Sequence, residues 1–116
     1  MLYGEIGYHD WEGISTDLDE RQRIAENLGD KKCLIMRNHG FLTVGATAGE
    51  AFMNMYYIIR MSEVALAAKG SGLELEAGNP DLWAFARRQY DNFAPGVHEW
   101  PALVRKVERH DPTFKD

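Results

Sequence analysis

Apolar positions in this chain follow two patterns, short dense runs before residue 45 and helically spaced stretches after it. Cys33-Leu34-Ile35-Met36 is too short an apolar run for a helix and predicts a buried strand. Phe41-Leu42-Thr43-Val44, rich in strand formers, predicts a second. Asn38-His39-Gly40 between them has the composition of a tight turn that can need a positive φ. Tyr3 to Tyr8 predicts a further strand, weakened by Gly4 and Gly7, where another backbone can come close, and a polar loop, His9-Asp10-Trp11-Glu12-Gly13, follows it. Asp17 with Glu20 three residues on is an acidic variant of the capping box. Leu18, Ile24, Ala25 and Leu28 then give one apolar face to a helix that Gly29 stops.

Thr47 with Glu50 is a second capping box, and residues 48–69 contain no proline, which predicts a long helix. Phe52, Met55, Tyr56, Ile59, Val64 and Leu66 are its expected core contacts, with Arg60, Glu63 and Lys69 on the polar side. Gly70-Ser71-Gly72 ends it, and Asn79-Pro80 starts another helix, a capping residue followed by proline at the first helical position. Leu82, Trp83, Phe85, Ala86, Tyr90 and Phe93 line one side of that helix, which ends before Pro95. Trp100-Pro101 opens a last helix through Leu103, Val104 and Val107, closed by Asp111-Pro112. The sum is one α/β domain over residues 1–116, without internal repeat or linker.

Composition adds constraints. The chain is 45% hydrophobic and 27% charged, as expected of a single soluble globular domain. A net charge of −5 argues against binding to nucleic acid or to anionic membrane surfaces. The apolar runs are far too short to span a bilayer, and nothing at the start reads as a secretory leader. Cys33 is the one cysteine, so no internal disulfide can form; it reads as a small core residue, and the cytoplasm as the expected compartment.

The chemistry on offer is sparse. His39, held where one strand ends and another begins, is placed to serve as a metal ligand or a catalytic base, or is simply a surface turn residue. His9 beside Asp10 and Glu12 is a possible general base near an acid. His98 next to Glu99, and His110 between Arg109 and Asp111, read as solvated. No HxH, HExxH, CxxC, GxSxG, P-loop or dinucleotide fingerprint is present.

The order of residues nevertheless resembles a known family. Tyr8-His9-Asp10-Trp11-Glu12-Gly13-Ile14, Gly29-Asp30-Lys31, and Arg37 through Gly45 with Asn38-His39-Gly40 at its heart are similar to the class II aldolase/adducin family. So are Glu50-Ala51-Phe52 through Met55-Tyr56-Tyr57, while Trp100-Pro101-Ala102-Leu103 and Asp111-Pro112 resemble bacterial members of the adducin-head type. The resemblance implies an α/β/α sandwich around a mostly antiparallel sheet. It also implies zinc-dependent sugar-phosphate aldolases or epimerases, usually homo-oligomers with active sites between subunits, acting on small-molecule carbonyl substrates. On it, His39 matches the third zinc ligand, and the zinc would polarise the substrate carbonyl and hydroxyl. Adducin shares the fold as a cytoskeletal, spectrin–actin binding head, so membership alone does not decide catalysis.

The family's other two zinc ligands, an HxH pair, and its acidic catalytic residue lie upstream of the segment where this sequence starts. The resemblance therefore implies the carboxyl-terminal portion of the domain, with the amino-terminal half missing and the chain inactive alone. Two expectations result: part of a metal-dependent lyase or epimerase, or a non-catalytic adducin-like interaction module.

Overall fold

The computed structural model describes residues 1–14 and 18–115. Three strands, β1 (Ile6–His9), β2 (Cys33–Met36) and β3 (Gly40–Thr43), come with four helices, α1 (Leu18–Leu28), α2 (Ala48–Gly70), α3 (Pro80–Asp91) and α4 (Glu99–His110). The fold class is α/β. The sheet order is β1-β2-β3, with β1 parallel to β2 and β3 antiparallel to it. Parallel strands need a long crossover, which α1 supplies, whereas the antiparallel pair needs only the three residues between Met36 and Gly40. The core gathers Leu2, Cys33 and Ile58, with Ile6, Ile35, Phe41, Met55 and Tyr57 packed around them.

The first strand is shorter than expected. Glu5 N–H donates to Leu2 C=O at 3.0 Å, closing a turn, and Gly4 has φ +78 there. Pairing therefore starts only at Ile6, and it takes in His9, which belongs to the strand and not to the following loop. Gly7 does admit a close backbone: a Cβ there would lie 2.5 Å from the Asn27 carbonyl oxygen, so α1 can sit tightly on β1.

Two helix faces also differ from their expected ones. Asp17, the expected cap of α1, lies outside the described residues. The buried residue of that helix is Glu20, while Leu18 is exposed, because the polar end of β1 faces it. In α2 the buried stripe is Gly49, Met53, Asn54 and Ile58. Phe52, Tyr56, Ile59, Val64 and Leu66 are exposed, and of the expected core set only Met55 packs on the core. The docking contacts choose the face: Thr43 Oγ1 donates to Ala51 C=O and Asn54 Nδ2 to Val44 C=O, each at 2.9 Å.

The cap of α2 is as expected. Thr47 Oγ1 accepts from Glu50 N–H at 3.1 Å, and Glu50 reaches back to accept from Ala46 N–H at 2.7 Å. Glu50 also pairs with Lys32 at 2.9 Å. The Lys32 hydrogen bond holds the Glu50 carboxyl below its ordinary 4.5, burial opposes this, and the Ala46 N–H adds to it. Asn79 caps α3 through Asp81 N–H at 2.9 Å, with Pro80 in the first turn. That helix reaches the rest of the molecule through Tyr3–Trp83 and Tyr57–Tyr90 ring contacts at 5.6 and 5.7 Å, leaving Leu82, Phe85 and Phe93 exposed. Trp100 of α4 meets Phe52 of α2 edge-on at 5.7 Å.

The loop before α4 is pinned to α2 where two glycines meet. Gly96 has φ +88, and a Cβ on it would lie 2.3 Å from the Gly49 carbonyl carbon. Gly96→Ala should therefore cost about 2–4 kcal/mol in urea unfolding, combining overlap with left-handed strain. Gly70→Ala, with nothing within 4 Å of its Cβ, should change stability by less than about 1 kcal/mol. For Glu50 the sign is that of a depressed carboxylate. Its contribution is full above pH 4.5 and is lost as pH falls through the lower folded value. Glu50→Gln should flatten the acid side of the stability-against-pH curve.

Candidate functional site

The turn that carries His39 is built by local rules. His39 N–H donates to Met36 C=O at 3.1 Å, and Asn38, third in that turn, takes φ +56, which asparagine tolerates better than most residues. The end of β1 braces it. Arg37 N–H donates to His9 C=O at 2.9 Å, the Arg37 guanidinium binds Asp10 at 2.6 Å, and its carbon lies 5.4 Å from the centre of the Tyr8 ring. The exposed Arg37–Asp10 pair is worth little by itself; the backbone bond and the strand pairing fix the turn. His39 is exposed on this turn.

His9 sits differently from the sequence expectation. It is 3% exposed, and the Asn27 amide contacts its Nδ1 at 2.9 Å. With that amide donating, Nε2 carries the ring hydrogen. Among the described residues Nε2 has no hydrogen-bond partner, and the nearest carboxylates are Glu20 at 3.8 Å and Glu12 at 4.0 Å. Glu12 is meanwhile held by the Arg23 Nε at 3.0 and 3.1 Å. Asp10 points away to Arg37, so the acid facing His9 from α1 is Glu20, itself 4% exposed. The signal for Glu20 was available: Glu20, Ile24, Asn27 and Leu28 fall at helical spacing on one face. A ring this sheltered is a structural polar centre joining β1 to α1.

The remaining groups divide simply. His98 precedes α4 without a side-chain capping bond, and His110 ends that helix; both are exposed. Cys33 is fully buried, and burial, then Glu5, pushes its thiol up to about 11, so it stays protonated. Among the described residues no three His, Cys, Asp or Glu side chains converge as a metal site. Among the described residues His39 is thus a lone donor, and they do not by themselves fit a three-ligand zinc centre.

The braced Asn38-His39-Gly40 turn, on a strand pair fed by a βαβ crossover, sits in a chain that belongs to the class II aldolase and adducin family. The model of the class II aldolase and adducin N-terminal domain matches residues 1–66. The chain is 36% identical over its whole length to the Caulobacter vibrioides protein named "Putative aldolase class 2 protein", covering 46% of that protein. It is 40% identical over 82 residues to rat alpha-adducin, matching 70% of this chain and 10% of adducin. The solved structure of an aldolase II superfamily protein from Pseudomonas syringae superposes with a TM-score of 0.86 at 33% identity, over 99% of this chain and 47% of that one. The chain therefore spans about half the length of the bacterial relatives it matches.

The Asn27–His9 contact gives a direct test. Asn27→Ala leaves a buried ring nitrogen without its partner and should cost about 1–3 kcal/mol in chemical denaturation. Gln22→Ala on the same helix, which removes only an exposed contact to Glu26, should cost less than about 0.5 kcal/mol.

Proposed function

We propose that this chain is the carboxyl-terminal portion of a zinc-dependent class II aldolase-like lyase or epimerase, acting on small hydroxylated carbonyl or sugar-phosphate substrates, with His39 as one metal ligand. The observation that carries the reading is the placement of His39, exposed on a three-residue turn braced by the end of β1. Family membership supports it. A catalytic zinc takes about three protein ligands and an open position. His39 supplies one, and the others belong to polypeptide outside these 116 residues or to a second subunit of a cytoplasmic homo-oligomer. A bound metal would polarise a carbonyl or hydroxyl oxygen; this chain's own part is to hold the His39 imidazole in a fixed place. By itself the chain is not an active aldolase.

A second reading is favoured by the likeness to alpha-adducin, which matches 70% of this chain. On that reading the domain is a non-catalytic interaction head, and the His39 turn is a surface feature. No helix here is long and apolar enough to cross a membrane, among the described residues, which fits either reading.

Calorimetric zinc titration of the 116-residue chain should show no stoichiometric tight binding, and a retro-aldol assay on sugar phosphates no turnover. Replacing the matching portion of the Pseudomonas syringae protein with this chain should give a chimera that holds zinc by elemental analysis. In that chimera, His39→Ala should lower zinc content at least tenfold. Zinc retained in the His39→Ala chimera would remove the ligand assignment. A chimera without metal that co-sediments with actin filaments would support the interaction head instead.

A further inference from the structure

α3 is the element least tied to the rest of the molecule. None of its 12 residues is fully buried, and Ala84, Arg87 and Tyr90, at three-residue spacing, form its one half-buried stripe. Among the described residues three side-chain pairs attach it: Tyr3–Trp83 with ring centres 5.6 Å apart, Tyr57–Tyr90 at 5.7 Å, and Glu5 with the Arg87 guanidinium at 3.0 Å. Two of the three end on the turn, residues 2–5, that leads into β1.

The chain can bend on either side of this helix. Residues 73–79 have no regular structure and are exposed throughout, and Gly72 before them takes φ +70. After the helix Ala94 sits at φ +46, a left-handed conformation that alanine rarely adopts. The chain is fixed again only at Gly96, packed on Gly49, so a second hinge lies within residues 92–95.

A helix of 12 residues is marginal in water by itself, so α3 off its docking surface also loses its helical hydrogen bonds. The tertiary pairs therefore decide whether it is formed. Glu5 and Arg87 are 23% and 15% exposed, so solvent and salt screen their attraction far less than that of the exposed Arg60–Glu63 pair on α2. β2, by contrast, is buried and paired on both sides. We infer that α3 is a latched strap, with residues 71–79 and 92–95 as its hinges and the Glu5–Arg87 pair as its catch. It leaves as one unit while the three-stranded sheet stays folded, which is independent of the His39 reading. Its departure bares a cavity of about 260 Å³ whose other wall holds Leu2, Lys32, Glu50 and Asn54.

Native-state hydrogen exchange of the 116-residue chain reads this opening amide by amide. The amides of residues 84–91 should share one opening constant, about a hundredfold larger than that of Cys33 and Leu34. Glu5→Gln should raise the constant of residues 84–91 about tenfold, and Glu63→Gln should leave it within about twofold. Asn27→Ala weakens a contact that survives when α3 is open. It should raise the constant of Cys33 and Leu34 at least about fivefold and leave that of residues 84–91 within about twofold. Should Glu5→Gln fail to fold, Arg87→Met breaks the same pair from the helix side and carries the same expectation. Four results overturn the strap: a constant for residues 84–91 equal to that of β2, constants that grade inward from the helix ends, an equal response of both regions to Asn27→Ala, or no larger effect from breaking the catch than from Glu63→Gln.

Discussion

The burial of β2 is the constraint on which the rest of the molecule depends. Cys33 and Leu34 are both 0% exposed, so their backbone groups have no water to turn to and must be paired within the protein. Pairing on one side brings in β1, and with it the α1 crossover; pairing on the other brings in β3 and the His39 turn. The residue just before the strand, Lys32, then ties the first turn of α2 to the sheet through Glu50. An unpaired buried amide costs on the order of a hydrogen bond or more, so β2 cannot shift by a residue without releasing all of these at once.

Features set by neighbours in sequence were legible; features set by neighbours in space were not. The Thr47–Glu50 cap, the Asn79-Pro80 start, the Gly29 stop and the Asn38-His39-Gly40 turn are each fixed within a few residues, and each is where the sequence put it. The buried face of α2 is another matter. Phe52, Tyr56 and Ile59 look like core by hydropathy, but Asn54 and Gly49 face inward, because one bonds the Val44 carbonyl and the other meets Gly96. His9 looked like a loop residue because nothing local says that β1 runs one residue past Tyr8 or that Glu20 and Asn27 await it on α1. The place of His39 could be read from two apolar runs, whereas its bracing by Arg37, Asp10 and Tyr8 could not.

Much apolar surface remains outside the core. A radius of gyration of 16.8 Å exceeds the value of about 13 Å typical of a compact domain of this length. β1 and β3 are the two edges of the three-stranded sheet, and Trp11, Leu66, Leu82 and Phe93 are exposed. The sheet supplies the scaffold, and the turn that carries His39 stands exposed at one end of it.

The full burial of Cys33 on the central strand has a kinetic consequence. A thiol held protonated behind the sheet is invisible to alkylating reagents as long as β2 stays paired on both sides. Once the strand separates, the thiol regains an ordinary acidity and reacts. The rate at which a reagent in excess modifies this one cysteine is then a clock for the opening of the whole sheet, insensitive to fraying of α3 or α4.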